Sequence, residues 1–226
     1  MLRFVFSILF LTQALAPTLA SACEKAAYDA ETREAIDGQD IERVEQILND
    51  SQDLFDAGRR SADDLRCLFG QFEKMHPSTI SFIEDWRAAY PTSVFAQTAQ
   101  AFSLNAVSWQ VRGPRDARDV YPAALRDFSE LQSHAWGLAE AAYKARPRLV
   151  PASDALIMLS NPNGQSRRRE EIVGAVMRAD PNADPNAGTL SHATGLIMSG
   201  WAGHGRWSKT PAPPMPTVFR MLRKRL

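Results

Sequence analysis

Apolar residues recur at three- and four-residue spacing along most of the chain, which is the period of one face of an α-helix. The clearest stripes are carried by Ile41, Val44, Ile47 and Leu48; by Leu65, Leu68, Phe69 and Phe72; by Val94, Phe95, Ala99, Phe102 and Ala106; and by Phe128, Leu131, Ala135, Leu138 and Ala142. No segment shows a comparably strong alternation of apolar and polar residues, which a half-buried strand would produce. The pattern therefore predicts an all-α fold.

Polar residues and glycines mark where the predicted helices begin and end. Asp40, Ser61 and Ser93 each precede an apolar stripe and can accept hydrogen bonds from first-turn amides, as N-cap residues do. Gly113 is expected to end the helix that Ser93 begins. The run from Asn49 to Ser51 favours a break in the helix that Asp40 caps, because such side chains compete for backbone hydrogen bonds.

One spacing indicates a structural repeat. Pro147 and Pro181 lie 34 residues apart, which is the period of a tetratricopeptide unit. Upstream of Pro147, Ala135, Ala139 and Ala142 occupy the positions where that unit has small packing residues. A single helix–turn–helix unit cannot bury its own apolar face, so such units must stack on one another. We therefore predict a tetratricopeptide-like helical-repeat array, an α-α superhelix.

The beginning of the chain has the pattern of a secretory signal peptide. Arg3 is followed by an almost wholly apolar run over residues 4–16 and by Ala20-Ser21-Ala22, a small-x-small cleavage site. The apolar run is too short to remain as a membrane-spanning helix. The predicted organisation is a signal peptide at 1–22, a helical-repeat domain at 23–210, and a proline-rich spacer with a basic tail at 211–226. The predicted location is the periplasm or the exterior.

The two cysteines allow two exclusive interpretations. Cys67 lies off the apolar stripe of its helix, and a thiol on the outer face of an exported protein usually pairs, here with Cys23. Such a disulfide would close a loop of about 45 residues and stabilise the fold by roughly 3–4 kcal/mol. Alternatively, cleavage after Ala22 leaves Cys23 as the first residue, where bacterial lipoproteins carry lipid. Membrane attachment is expected only in the second case.

Several short motifs resemble a known family. They are Phe82-Ile83-x-x-Trp86, Tyr90-Pro91-x-Ser93, Trp109-x-x-Arg112-Gly113, Asp180-Pro181 and Trp201-x-Gly203. Together they resemble a bacterial family of tetratricopeptide-like proteins, domain of unknown function family 4034, over the range 41–205. The chain departs from the family pattern at Ala202, which interrupts paired glycines, and at the proline spacer, which replaces later helices. The resemblance implies a helical fold and carries no assigned activity.

Trp109 and Arg112 form the first candidate ligand-binding site. Trp109 is expected to pack in the groove between helices, while Arg112, one turn later, offers a planar guanidinium that suits a carboxylate or phosphate. The alternative is structural: Gly113 ends the helix, and Arg112 binds an internal Asp or a backbone carbonyl.

A second candidate site lies in a glycine-rich segment near the end of the chain. It comprises Trp201, His204 and Arg206, with Trp207 next to them, and would form an aromatic and cationic pocket. The alternative is that the tryptophans anchor this loop onto the end of the helical stack.

The remaining polar residues show no spacing that predicts catalysis or metal binding. The chain has no Gly-x-Ser-x-Gly, no His-Glu-x-x-His and no phosphate-binding loop. His192 and His204 have no further ligands at metal-binding distance in sequence. His76 precedes Pro77 and is expected to cap a helix end, while His134, next to the Ala135 seam, is expected to be solvated. Neither a metal nor a cofactor is predicted.

The predicted function is therefore binding. Lys+Arg and Asp+Glu both number 26, so the charge does not favour nucleic acid as a partner. We expect an exported, non-catalytic protein that binds a peptide, a protein segment or an acidic small molecule. The alternatives are a hydrolase-like enzyme of the cell envelope, which would use His192 or His204, and a purely structural lipoprotein.

Overall fold

The computed structural model of the chain describes residues 27–73 and 75–179. Here the backbone forms eight α-helices and no strand, which confirms the all-α prediction. The helices are α1 Ala27–Asp37, α2 Ile41–Asp56, α3 Ala62–Phe69, α4 Pro77–Ala89, α5 Val94–Arg112, α6 Pro122–Ala145, α7 Val150–Ser160 and α8 Ser166–Ala179. Short 3₁₀ turns cover Gly70–Glu73 and Ala117–Asp119.

The three predicted N-caps are confirmed. The side chain of Asp40 accepts a hydrogen bond from the Arg43 amide at the start of α2. Ser61 and Asp64 form a reciprocal capping box that begins α3. Ser93 accepts from the amide of Ala96 and begins α5. Each side chain satisfies an amide that the helix itself leaves without a partner.

The predicted break in α2 is wrong, because the helix is continuous to Asp56. Asn49 donates from its side-chain amide to the carbonyl of Glu45 at 2.9 Å. Ser51 donates from Oγ to the carbonyl of Ile47 at 2.6 Å. Both side chains bond one turn back along the helix, so they do not compete with its backbone hydrogen bonds.

His76 acts at the beginning of a helix and not at the end of one. The helix α3 ends at Phe69 and continues as the 3₁₀ turn to Glu73. His76 is the N-cap of α4, and Pro77 is its first helical residue, where the missing N–H costs no helical hydrogen bond.

The alanine seam of α6 lies in the core, as the sequence predicts. Ala135, Ala139 and Ala142 are fully buried. The helix α6 packs mainly against α5, and it also contacts α7. Gln132 meets Ser108 and Phe128 meets Trp109, so α5 and α6 run antiparallel. Small residues on α6 allow its backbone to approach α5 closely.

The helix α7 contacts α3, although three helices lie between them in the chain order. Arg66 of α3 donates from Nε to Asp154 of α7 at 2.8 Å, and both side chains are buried. Burial lowers the pKa of Arg66, but the charges of Asp154 and Asp63 outweigh this and raise it above its usual value. A linear stack of repeats does not by itself require this contact, and the tetratricopeptide-like array stays a prediction.

A second set of ion pairs connects the end of α2 to the loop between α6 and α7. Asp56 accepts from Arg146 Nη2 at 3.1 Å and from Arg148 Nε at 2.9 Å. The two guanidinium groups also lie over aromatic rings, Arg146 over Phe95 at 5.7 Å and Arg148 over Phe55 at 5.6 Å. The contacts hold the α6–α7 loop against the helices at the start of the chain.

Cys67 is buried at 6% exposure, so the expectation of a thiol on an outer face is wrong. Cys23 lies outside the described residues, and the choice between disulfide and lipid stays a prediction. The signal peptide 1–22 and the tail 211–226 also lie outside them. None of the described helices has the length and apolar content that crossing a membrane requires.

Candidate functional site

Trp109 and Arg112 lie together at the end of α5. The guanidinium carbon of Arg112 is 5.4 Å from the centre of the Trp109 ring. Trp109 is 43% exposed, so the prediction that it packs inside a groove is wrong. Its ring instead meets that of Phe128 edge to face, with 5.0 Å between the ring centres. The pair therefore presents an aromatic ring and a cation at the surface.

Arg112 and Gly113 also have the structural role given above as the alternative, at the end of the helix. Gly113 has a φ of 72°, a conformation that glycine adopts without strain, and its amide donates to the carbonyl of Trp109. Arg112 donates from Nη1 to the carbonyl of Gly113 at 3.1 Å. This bond holds the guanidinium near the helix end and leaves its other donors available.

The beginning of α6 extends this exposed surface. Tyr121 is 50% exposed and Leu125 is 37% exposed. Together with Phe128 they follow one another at four- and three-residue steps, so they share one face of the helix. The guanidinium of Arg115 lies 5.0 Å from the centre of the Tyr121 ring. We call the set Trp109, Arg112, Arg115, Tyr121, Leu125 and Phe128 the aromatic–arginine surface.

The charges of this surface are not balanced by direct ion pairs. In the described part of the chain, neither Arg112 nor Arg115 contacts a carboxylate. The two acids of the adjoining loop, Asp116 and Asp119, instead lie 3.6 and 3.7 Å from Arg118. Arg112 and Arg115 therefore contact aromatic rings and keep hydrogen-bond donors for another molecule.

A buried polar cluster fixes the helices below the aromatic–arginine surface. The side-chain amide nitrogen of Gln132 donates to Asn105 Oδ1 at 2.8 Å and to Ser108 Oγ at 2.6 Å. All three residues are buried, and the cluster lies one turn from the contact between Trp109 and Phe128. Such bonds form only at one register of α5 against α6, so they position the two exposed faces relative to each other.

Sequence reasoning found Trp109 and Arg112 but missed Tyr121, Leu125 and Arg115. A signal was present, because Tyr121 and Leu125 continue the spacing of Phe128 towards the beginning of the helix. The periodicity shows that these residues share a face but not whether another helix covers it.

Trp86 and Ser93, two residues of the family-like motifs, serve packing. Trp86 is fully buried and donates from Nε1 to Glu45 Oε2 at 2.7 Å. The hydroxyl of Ser93 donates to the same oxygen at 2.9 Å. The carboxylate of Glu45 thus joins α2, α4 and the start of α5. Trp86 and Ser93 therefore have a structural role at their positions in the motifs.

His134 is half-buried, so the prediction that it is solvated is wrong. Burial lowers the pKa of His134, and the positive charge of Arg87 lowers it further. Arg87 itself is oriented by its donation from Nε to Gln100 Oε1 at 3.1 Å. The neutral imidazole is therefore the favoured form near pH 7.

The second predicted site lies outside the described residues. Trp201, His204 and Arg206 belong to that part of the chain, as does His192, and their roles stay predictions. Between residues 27 and 179, Lys74 apart, no group of three His, Cys, Asp or Glu side chains could hold a metal ion.

No family model matches the chain, and neither a curated protein nor a solved structure is similar to it. The resemblance to family 4034 therefore stays a prediction.

Proposed function

We propose that this protein binds a segment of another protein through the aromatic–arginine surface, without catalysing a reaction. The observation that carries the proposal is the arrangement of Arg112 and Arg115. Each guanidinium lies over an exposed aromatic ring, Trp109 or Tyr121, and neither contacts a carboxylate of the described chain. In this proposal the chain acts after export, and its helices belong to a tetratricopeptide-like array.

The exposed apolar area supports a protein partner. Five large hydrophobic residues of the described chain are exposed, and Trp109, Tyr121 and Leu125 are three of them. Contiguous exposed apolar residues on a folded protein often mark an interaction site. Tryptophan, tyrosine and arginine are also the residues that contribute most to binding energy at protein interfaces.

The chemistry of the surface suits a segment that combines an acidic residue with an aromatic or aliphatic one. A carboxylate can accept two parallel hydrogen bonds from one guanidinium, and the neighbouring ring can cover an apolar side chain. Because Arg112 is already bonded to the Gly113 carbonyl, it loses less conformational freedom on binding than an unrestrained arginine would.

The experiment is a binding screen of the purified protein against a peptide array in which acidic and aromatic positions vary independently. The best peptide is then measured by fluorescence anisotropy with the label on the peptide. We expect Trp109→Ala to weaken binding by roughly tenfold or more, as truncation of a central aromatic residue does. Arg112→Gln should weaken binding to acidic peptides and leave binding to their amide counterparts unchanged.

Arg126→Gln is the matched control. Arg126 is exposed on α6 but lies on a different face from Tyr121, Leu125 and Phe128. The Arg126→Gln variant should bind the peptide with the affinity of the wild type. If Trp109→Ala and Arg126→Gln bind equally well while both remain folded, the aromatic–arginine surface is not the binding site.

A further inference from the structure

The aromatic–arginine surface combines exposed rings with hydrogen-bond donors that the described chain leaves unused. Trp109 and Tyr121 are 43% and 50% exposed, and each has a guanidinium over its ring. Within the described residues, the indole N–H of Trp109 has no acceptor, and Arg115 makes no hydrogen bond. The surface therefore suits a ligand that offers both flat apolar groups and free hydrogen-bond acceptors.

A proline-rich segment in the polyproline II conformation has both properties. This conformation has no internal hydrogen bonds, so the backbone carbonyl oxygens remain available as acceptors. The ring of each proline is apolar and fixes the backbone angle φ, so little conformational entropy is lost on binding. Binding of such segments to surfaces lined with aromatic residues is a common mode of peptide recognition.

The chain itself contains such a segment. Four of the six residues at 211–216 are prolines. The segment lies outside the described residues, and its composition predicts an extended, stiff conformation. Residues 210–219 carry no charge, so Arg112 and Arg115 do not repel them, whereas they do repel the basic residues that begin at Arg220. The segment 211–216 is therefore the part of the tail that this surface suits.

The chain between α8 and this segment is long enough to reach the surface. Residues 180–210 separate Ala179, the end of α8, from Pro211. Such a stretch spans about 100 Å when fully extended, and about 46 Å if it is wholly helical. The longest described helix, α6, has 24 residues and a length of about 36 Å. A tether that spans its sites gives an effective concentration of roughly 1 mM, so even a millimolar affinity would cover the surface in about half of the molecules.

We propose that the chain's own segment 211–216 covers the aromatic–arginine surface. Its proline rings pack on Trp109 and Tyr121, and its carbonyl oxygens accept hydrogen bonds from Trp109 Nε1, Arg112 and Arg115. The inference rests on the proposed function in that it takes this surface as a binding site. It adds a form of regulation, because a partner segment must displace the chain's own segment before it binds.

Photo-cross-linking of the full chain tests this contact. Leu125→p-benzoyl-phenylalanine places a photoreactive ketone in the surface and leaves Trp109 and Tyr121 unchanged. The purified monomer is irradiated and digested with trypsin, and the cross-linked peptides are identified by mass spectrometry. We expect a cross-link from position 125 to the segment 211–216, in which the side chain of Met215 readily reacts with the excited ketone.

Two controls accompany the cross-link. Arg126→p-benzoyl-phenylalanine carries the same group on a different face of α6 and should give no cross-link to the segment. Adding Trp109→Ala to the Leu125 variant should lower the yield severalfold, because the segment loses a ring on which it packs. The proposal is overturned if the segment is not cross-linked, if both positions give equal yields, or if cross-links form only between two chains.

Partner binding provides a second measurement. Pro213→Ala combined with Pro214→Ala should increase the affinity for the best array peptide severalfold, because the weakened segment competes less. Pro181→Ala combined with Pro185→Ala makes the same chemical change outside the segment and should leave the affinity unchanged. Equal affinities of the two double variants would overturn the competition. If the cross-link forms but no array peptide binds, the proposed function fails and this inference stands. If a peptide binds but no cross-link forms, the reverse holds.

Discussion

The contact between α3 and α7 depends on a buried ion pair, which the substitution Asp154→Asn would remove. Arg66 Nε and Asp154 Oδ2 are 2.8 Å apart, and Arg66 Nη2 lies 3.3 Å from Oδ1 of the same carboxylate. The side chains are 6% and 4% exposed. Replacing Asp154 by Asn keeps the shape and removes the charge, so Arg66 remains buried with its main counter-charge lost.

The expected loss of folding stability follows from the burial of both partners. Breaking a buried pair by removing one charge typically costs about 3–5 kcal/mol, and the remaining polar contact of an asparagine places the expected loss near the lower value. Asp63, the other carboxylate on Arg66, has a side chain that is 55% exposed. Its contact with Arg66 is screened by water and contributes less than about 1 kcal/mol, so it cannot replace Asp154.

Urea unfolding of the purified wild type and variants measures this difference. With a slope of about 2 kcal/mol per molar urea, a loss of about 3 kcal/mol lowers the unfolding midpoint by about 1.5 M. The matched control, Asp63→Asn, should lower it by less than about 0.5 M. A double variant with Met at Arg66 and Leu at Asp154 should be about as stable as the wild type, because no charge is then left buried. If Asp154→Asn is no more destabilising than Asp63→Asn, the buried pair does not hold α7 to α3.

Three further predictions concern packing and titration. Ala139 is fully buried, so Ala139→Leu should destabilise the fold by roughly 1–3 kcal/mol in urea unfolding. The control Ala141→Leu changes an exposed residue and should alter stability by less than about 0.5 kcal/mol. Equal effects of the two substitutions would contradict close packing at the alanine seam of α6. Burial raises the pKa of Asp56, but hydrogen bonds from arginines and a glutamine outweigh this and hold it below 3.8. Asp56→Asn should therefore lower the free energy of unfolding by up to about 1 kcal/mol at pH 7. The difference in stability from the wild type should shrink as the pH falls below 3.8. A difference that stays constant with pH would contradict the lowered pKa of Asp56. An NMR titration of the His134 ring should give a pKa below 6.5, and Arg87→Gln should raise that pKa. The stability of the fold that depends on the neutral ring should decline as the pH falls below 6.5. A measured pKa above 6.5 would refute the assignment.

Part of the candidate site could be predicted from local pattern. Trp109 and Arg112 were identified because a planar cation one turn from an aromatic residue is visible in the sequence. Whether Trp109 faces a neighbouring helix or water depends on the angle between α5 and α6, which periodicity does not determine. The prediction of its burial was wrong for this reason, and the exposure of Tyr121 and Leu125 was missed for the same one.

A half-open cavity lined by residues of α1 and of the start of α4 shows a similar division. The sequence places His76, Pro77, Ser78 and Thr79 in consecutive positions, but it does not show that His76 contacts the Ser78 hydroxyl and makes no capping hydrogen bond. Nor does it show that Arg33, which precedes them by more than forty residues, lies in the same wall. Only the packing of α1 against α4 brings these groups together.

Local pattern in the sequence is enough to predict the all-α class, the starts of α2, α3 and α5, and the buried alanine face of α6. These features depend on hydrogen bonds and contacts between residues within about one turn of each other, so composition and spacing are sufficient. By contrast, the packing of the helices brings Arg66 to Asp154, 88 positions along the chain, and allows Glu45 to accept from both Trp86 and Ser93. Such pairs depend on how whole helices pack, and many alternative partners have the same local pattern, so spacing alone cannot select among them.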